Sequence, residues 1–161
     1  MDFDLPDNLL DTPIEDFNIS KEYTPEPLVC DGKYNGIVMD VKHLGDAGII
    51  KWTVQLQNNP GSMCADNVTP VDGKRLSYNL WLPKKGDELV PGKFSNLTAR
   101  QETINGMKRF ADTMKIKLDS AADIAEAIKS HLWNSLIVVC TIKSSSKDGV
   151  IYQNIKKMER A

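Results

Sequence analysis

The chain has 161 residues, 41% of them hydrophobic and 26% charged, with a formal net charge of −2. That make-up fits a soluble protein of one domain plus a tail. Its longest apolar run, residues 136–140, is far too short for a transmembrane helix, and the acidic opening lacks the basic, apolar and small-residue regions of a secretion signal, so a cytoplasmic location is expected.

Charge is unevenly spread. Residues 1–31 hold nine carboxylates and one basic group, Lys21, a net of −8, so the remainder of a −2 chain carries +6. An acidic tail on a mildly basic body gives the body an attraction for polyanions. The tail sets Phe3, Leu5, Leu9, Leu10, Ile14 and Phe17 among its carboxylates and is broken by four prolines, Pro6, Pro13, Pro25 and Pro27. It reads as mostly extended, with a short amphipathic segment around residues 7–17. Three roles stand open for it: plain solvation, occupation of the basic groove in competition with a polyanion, or contact with a partner protein.

The period becomes two from Gly32. "KYNGIVMDVKHL" sets Ile37, Met39 and Val41 against Val38, Asp40 and Lys42; "GDAG" turns the chain; "IIKWTVQLQ" sets Ile50, Trp52, Val54 and Leu56 against Lys51, Thr53, Gln55 and Gln57. A long loop, "NNPGSMCADNVTPVDG", leads to a third strand, "KRLSYNLWLP". There Leu76, Tyr78, Leu80 and Leu82 share one face, and Arg75, Ser77, Asn79 and Trp81 share the other.

After "PKKGDELVPGK" the spacing turns helical, with Ser95 as the expected cap and Leu97, Ile104, Met107, Phe110, Ala111 and Met114 on the apolar side. A second helix is predicted from Asp119 or Ser120, presenting Ala121, Ile124, Ala125 and Ile128, and Trp133 is expected to pack under the sheet. The chain closes with a predicted hairpin, residues 136–143 against 150–158, turning at Lys147, Asp148 and Gly149. Three strands, a helical insert and two strands match the five-stranded Greek-key barrel of the OB-fold, with the helices between strands 3 and 4. A small α+β sheet fits the same order. The domain reading is an acidic tail, 1–31, and a nucleic-acid-binding domain, 32–161.

Catalytic chemistry needs a poised nucleophile or paired titratable groups, and the sequence holds no GxSxG, HExxH, GxGxxG or phosphate-cradling glycine loop. Cys30, Cys64 and Cys140 form no CxxC, and only His43 and His131 could join them, so reduced cysteines and no metal or other cofactor are expected. A phosphate-processing enzyme would draw on Asp40, Asp66 and Asp72, a carboxylate scatter that reads as ordinary surface.

Single-stranded nucleic acid asks for flat side chains to stack on and cations to track phosphates. Lys51, Arg75 and Trp81 fall on one outward surface if the alternation holds, and Lys84 and Lys85 follow at its border. Trp52 lies in the alternate register, with the core residues, and a one-residue bulge would reverse that. Tyr34 opens the first strand at a barrel rim, where packing and binding are both open. The final hairpin adds Lys143, Lys147, Lys156 and Lys157, a pattern that also protects an edge strand from pairing. Lys108, Arg109 and Arg100 read as a solvated helix face.

The ordered phrases "DGKYNGIVMDV", "IKWTVQLQ", "GKRLSYNLWLP", "RQETINGMKRFADTMKIKLD" and "LWNSLIVVCTIKSSSKDGVIYQNIKKM" resemble the small OB-fold single-stranded-DNA-binding proteins of tailed bacteriophages, over about residues 28–160. The resemblance implies a protein that coats single strands during phage replication and recombination, in the cytoplasm of a bacterial host. It points to Lys51, Trp52, Arg75, Trp81, Tyr152 and Lys156 as DNA-contacting positions. Better-known members carry their acidic partner-binding tail at the other end, whereas this chain ends "KKMERA". The competing function is a protein-interaction module of a replication or recombination complex that recognises partners through its tail. Homo-oligomerisation is compatible with either.

Overall fold

The computed structural model describes residues 27–161. Five strands, β1 (Gly32–Leu44), β2 (Ile49–Leu56), β3 (Arg75–Trp81), β4 (Ile137–Lys147) and β5 (Val150–Arg160), form one antiparallel sheet in the order β3-β2-β1-β4-β5. Two helices, α1 (Ala99–Met114) and α2 (Ala121–Lys129), lie between β3 and β4 in the chain. The protein is thus mainly β with a helical insert. The edge strands β3 and β5 also approach each other, so the sheet is strongly curled.

The core fills the concave side. Ile50, Trp52, Val54 and Leu56 from β2, with Leu80 from β3, Val138, Cys140 and Ile142 from β4 and Ile155 and Met158 from β5, meet Phe110 and Met114 of α1. Trp133 stacks on Trp52 at a ring separation of 5.2 Å, as its position after α2 predicts, and Phe110 meets Trp52 edge-on at the same distance. Tyr78 stacks on Phe110 at 5.1 Å. Such aromatic pairs add about 0.5–1.5 kcal/mol beyond their buried area.

On β1 the simple alternation breaks. The ladder to β2 pairs Val38 with Val54 and Asp40 with Thr53, leaving Met39 as an extra residue. The bulge puts Val38 and Val41 in the core and turns Met39 outward, so the predicted face of Ile37, Met39 and Val41 is corrected. Beside it, a Cβ on Gly36 would lie 2.6 Å from the Val54 side chain, which leaves room for glycine alone. A second bulge in the β4–β5 ladder leaves Lys156 unpaired between Ile155 and Lys157. The hairpin itself turns at Asp148 and Gly149, both with positive φ, the backbone of a tight two-residue turn.

Two predicted boundaries move. Residues 28–31 belong to the fold: Val29 is buried, its amide donates to Gln153 Oε1 at 2.9 Å, and Gln153 Nε2 donates back to the Val29 carbonyl. Asp31 accepts from the Ser144 amide and hydroxyl, each at 2.9 Å, while residues 1–26, with the predicted amphipathic segment, lie outside the described residues. The second correction concerns α1, whose cap is Thr98, accepting from the Gln101 amide, rather than Ser95. Residues 95–97 stay outside the helix because Pro91 and Thr98 form an isolated β-bridge that closes a loop there. Helix α2 starts as predicted, with the Ser120 hydroxyl accepting from the Asp123 amide.

The loop 57–74 is anchored to the main core. Cys64 and Val71 are buried, and Asn59 donates from Nδ2 to Asp72 at 2.9 Å and to the Asn35 carbonyl at 2.9 Å, tying the loop to β1.

Candidate nucleic-acid interface

Cross-strand pairing fixes which side chains stand together on the convex face, because residues directly opposite in an antiparallel ladder project to the same side. The ladders give four successive rows across β1, β2 and β3. Leu44, Ile49 and Trp81 form the first; Lys42, Lys51 and Asn79 the second; Asp40, Thr53 and Ser77 the third; Ile37, Gln55 and Arg75 the fourth. Lys51, Arg75 and Trp81 therefore share one surface, as predicted.

Trp81 is 57% exposed, opposite Ile49, with Leu44 beyond Ile49 in the same row. Lys84 lies with its ammonium 5.3 Å from the Trp81 ring centre. The favourable cation–π contact holds both groups at the same end of the face. The Lys84 stem also lies along Gly48, whose φ of +66° shapes the turn between β1 and β2. Arg75 is exposed, and its Nε donates to Gln55 Oε1 across the ladder at 3.2 Å, which orients the guanidinium along the sheet.

Lys42 and Lys51 stand directly opposite each other. Like charges in that position destabilise a sheet unless an anion lies between or above them. Asp40 offsets part of the repulsion from 3.6 Å. Lys42 and Asn79 were not singled out from sequence, yet the signal was there: a four-residue turn at 45–48 forces position 42 opposite 51.

Trp52 is the residue on which two expectations conflicted. It is fully buried, which matches the alternation of β2 and corrects the resemblance-based placement on the DNA-contacting face. A ring covered by Trp133 and Phe110 offers no surface to a base. Its Nε1 has no hydrogen-bond partner among the described residues, so this indole is held by packing.

Tyr152 and Lys156 are exposed on β5, at the other end of the strand order, and no hydrogen-bonded ladder joins them to β3. Tyr152 sits opposite Ser145 near the hairpin turn, with Val150 and Ile151 also exposed. Lys85 is exposed beyond Lys84. Tyr34 is half-buried and donates its hydroxyl to the Cys30 carbonyl at 2.8 Å; burial, foremost, raises its pKa. It serves packing at the start of β1.

The acidic candidates are engaged separately. Asp66 accepts from the Val68 and Thr69 amides and the Thr69 hydroxyl, and the hydroxyl bond leads in lowering its pKa. Asp72 accepts from Asn59, and Asp40 pairs with Lys42. Among the described residues no three His, Cys, Asp or Glu side chains are grouped to hold a metal ion. The three cysteines are unpaired; burial pushes the Cys140 thiol up to about 12.

An apolar groove of about 1220 Å³ lies between α1 and α2, lined by Ile104, Met107, Leu118, Ile124 and Ile128 together with charged residues of both signs such as Lys108 and Asp112, and it reaches His43 of β1 and Leu82 just after β3. No described helix is long and apolar enough to cross a membrane. Comparison with protein-family models and with curated proteins finds no match.

Proposed function

We propose that the chain is a non-enzymatic single-stranded-DNA-binding protein whose curled sheet is an OB-fold-like Greek-key barrel. The observation that carries the reading is the convex face of β1, β2 and β3. An exposed tryptophan, flanked by Lys84 and followed by Lys51, Lys42 and Arg75, supplies stacking and phosphate contacts on a rigid ladder. Strand order supports the barrel, since the two edge strands approach and the helices bridge β3 to β4.

Binding is largely independent of sequence, because a stacked ring and a row of cations recognise features common to all bases and phosphates. Lys85, Tyr152 and Lys156 extend the basic and aromatic surface beyond the central rows. The resemblance to phage proteins sets the biological frame: coating single strands exposed in replication and recombination in the bacterial host cytoplasm. The acidic tail competes with DNA for the basic face or presents itself to replication partners.

The test is a titration of labelled single-stranded and duplex oligonucleotides of one sequence at several salt concentrations. Three to five phosphate contacts give a slope of log affinity against log salt of about −2 to −4. Equal affinity for duplex, or no salt dependence, would refute the proposal.

A second reading, a protein-interaction module of a replication or recombination complex, draws on the apolar groove between α1 and α2. It requires that a replication protein bind the chain equally well with and without single-stranded DNA, and that charge-neutralised tails lose that binding.

A further inference from the structure

The segment after β3 does more than connect it to α1. Residues 90–97 fold back beside the edge strand and enclose a groove of about 680 Å³ that opens next to Trp81 and is bordered by Phe94, Lys93, Asn105 and Arg109. Phe94 is 93% exposed, the most exposed large apolar side chain among the described residues. A phenylalanine that buries so little contributes almost nothing to the core.

The loop beneath that ring is firmly mounted. Glu102 of α1 accepts from the Lys93 amide at 2.8 Å, the Phe94 amide at 3.0 Å and the Ser95 hydroxyl at 2.8 Å. The Gly92 amide donates to the Leu97 carbonyl at 2.7 Å, and the Ala99 amide to the Val90 carbonyl at 2.8 Å. A Cβ at Gly92 would collide with the Glu102 carboxylate, so the close approach depends on glycine. An aromatic ring is thus held out to solvent on an ordered support. A ligand that meets it incurs little of the usual ordering cost.

The chemistry around the ring identifies the ligand class. Lys93 and Arg109 line the same groove as the ring, Lys84 lies over Trp81 at its mouth, and the one carboxylate in the groove, Glu102, is already met by three donors. Aromatic rings interleaved with cations suit a polyanion with flat bases, whereas the centres of protein interfaces are depleted in charge. We infer that the single strand stacked on Trp81 continues off the sheet into this groove and places a further base on Phe94, with Lys93 and Arg109 taking phosphates. The inference rests on the single-stranded-DNA reading and extends its path to a loop that strand alternation alone does not reach.

The experiment uses the full chain, Phe94→Ala and Lys93→Ala, with oligothymidylates of about 4 and about 12 nucleotides, spanning typical site sizes for one barrel. Phe94→Ala is expected to weaken the longer oligonucleotide by at least about 5-fold, to leave the shorter one little changed, and to melt like the wild type. Lys93→Ala is expected to make the salt slope for the longer oligonucleotide shallower by about 0.7. Wild-type affinity of Phe94→Ala for both lengths overturns the inference while the central face stands. The same affinity accompanied by altered sedimentation overturns it in favour of a contact between protein molecules. A wild-type chain that binds neither oligonucleotide removes the single-stranded-DNA reading itself, and this path with it.

Discussion

The two faces of the β2–β3 ladder each carry a tryptophan, and their surroundings differ completely. Trp52 on β2 is fully buried between Trp133 and Phe110, and Trp81 on β3 is more than half exposed beside a row of cations. Residue type is the same; parity in the strand decides the role. The inner face is apolar and closes the core, whereas the outer face sets the exposed Trp81 ring on the same side as Lys51 and Arg75. That separation lets the proposed binding be perturbed apart from folding.

The largest expected effect is on the inner face. Trp52→Ala removes a fully buried indole and should cost about 3–5 kcal/mol of stability, read by urea or thermal unfolding. Gly36→Ala forces a methyl against Val54 on β1, before the first bulge, and should cost about 1–3 kcal/mol in the same assay. On the outer face the pattern inverts. Trp81→Ala should change stability by no more than about 0.5 kcal/mol but weaken single-strand binding by about 1–3 kcal/mol.

A pH series sharpens the inner side of the comparison. Cys140 has its thiol pKa raised from an ordinary 9.0 to about 12 by burial, so between those values the unfolded chain loses a proton that the folded chain keeps. Stability falls as pH rises through that window, by up to about 1.4 kcal/mol per pH unit from this group, and the full contribution is present below pH 9. Cys140→Ala should flatten that decline. Smallest of all, Arg75→Ala should make the salt slope of binding shallower by about 0.7 with unfolding unchanged.

Much of this arrangement was legible in the sequence, and the failures have identifiable causes. The parity of Leu76, Tyr78 and Leu80 against Arg75 and Trp81 carried over intact because β2 and β3 pair without irregularity. Trp133 was placed correctly under the sheet because a bulky aromatic just after a short helix has few other apolar surfaces to meet. On β1, the alternation failed at Met39, since a bulge leaves no mark in hydrophobic periodicity. The tail boundary was set four residues too far along because Leu28–Asp31 is held by Gln153 and Ser144, partners more than 100 residues away. Ser95 resembled a cap by residue type, but its hydroxyl serves the Glu102 support, and Thr98 takes the helix. Phe94 escaped notice for a related reason: a single aromatic in a glycine-proline loop carries no period, and only the fold brings it to the groove that Trp81 also lines.

The central claim is that the outer face binds single strands while the inner face only builds the fold. The most direct measurement is the affinity of wild type and Trp81→Ala for a labelled single-stranded oligonucleotide, with thermal unfolding recorded on the same samples. A loss of about 5-fold or more in affinity with an unchanged melting transition is the expected result. Unchanged affinity, or a lowered melting transition that accounts for the loss, would contradict it.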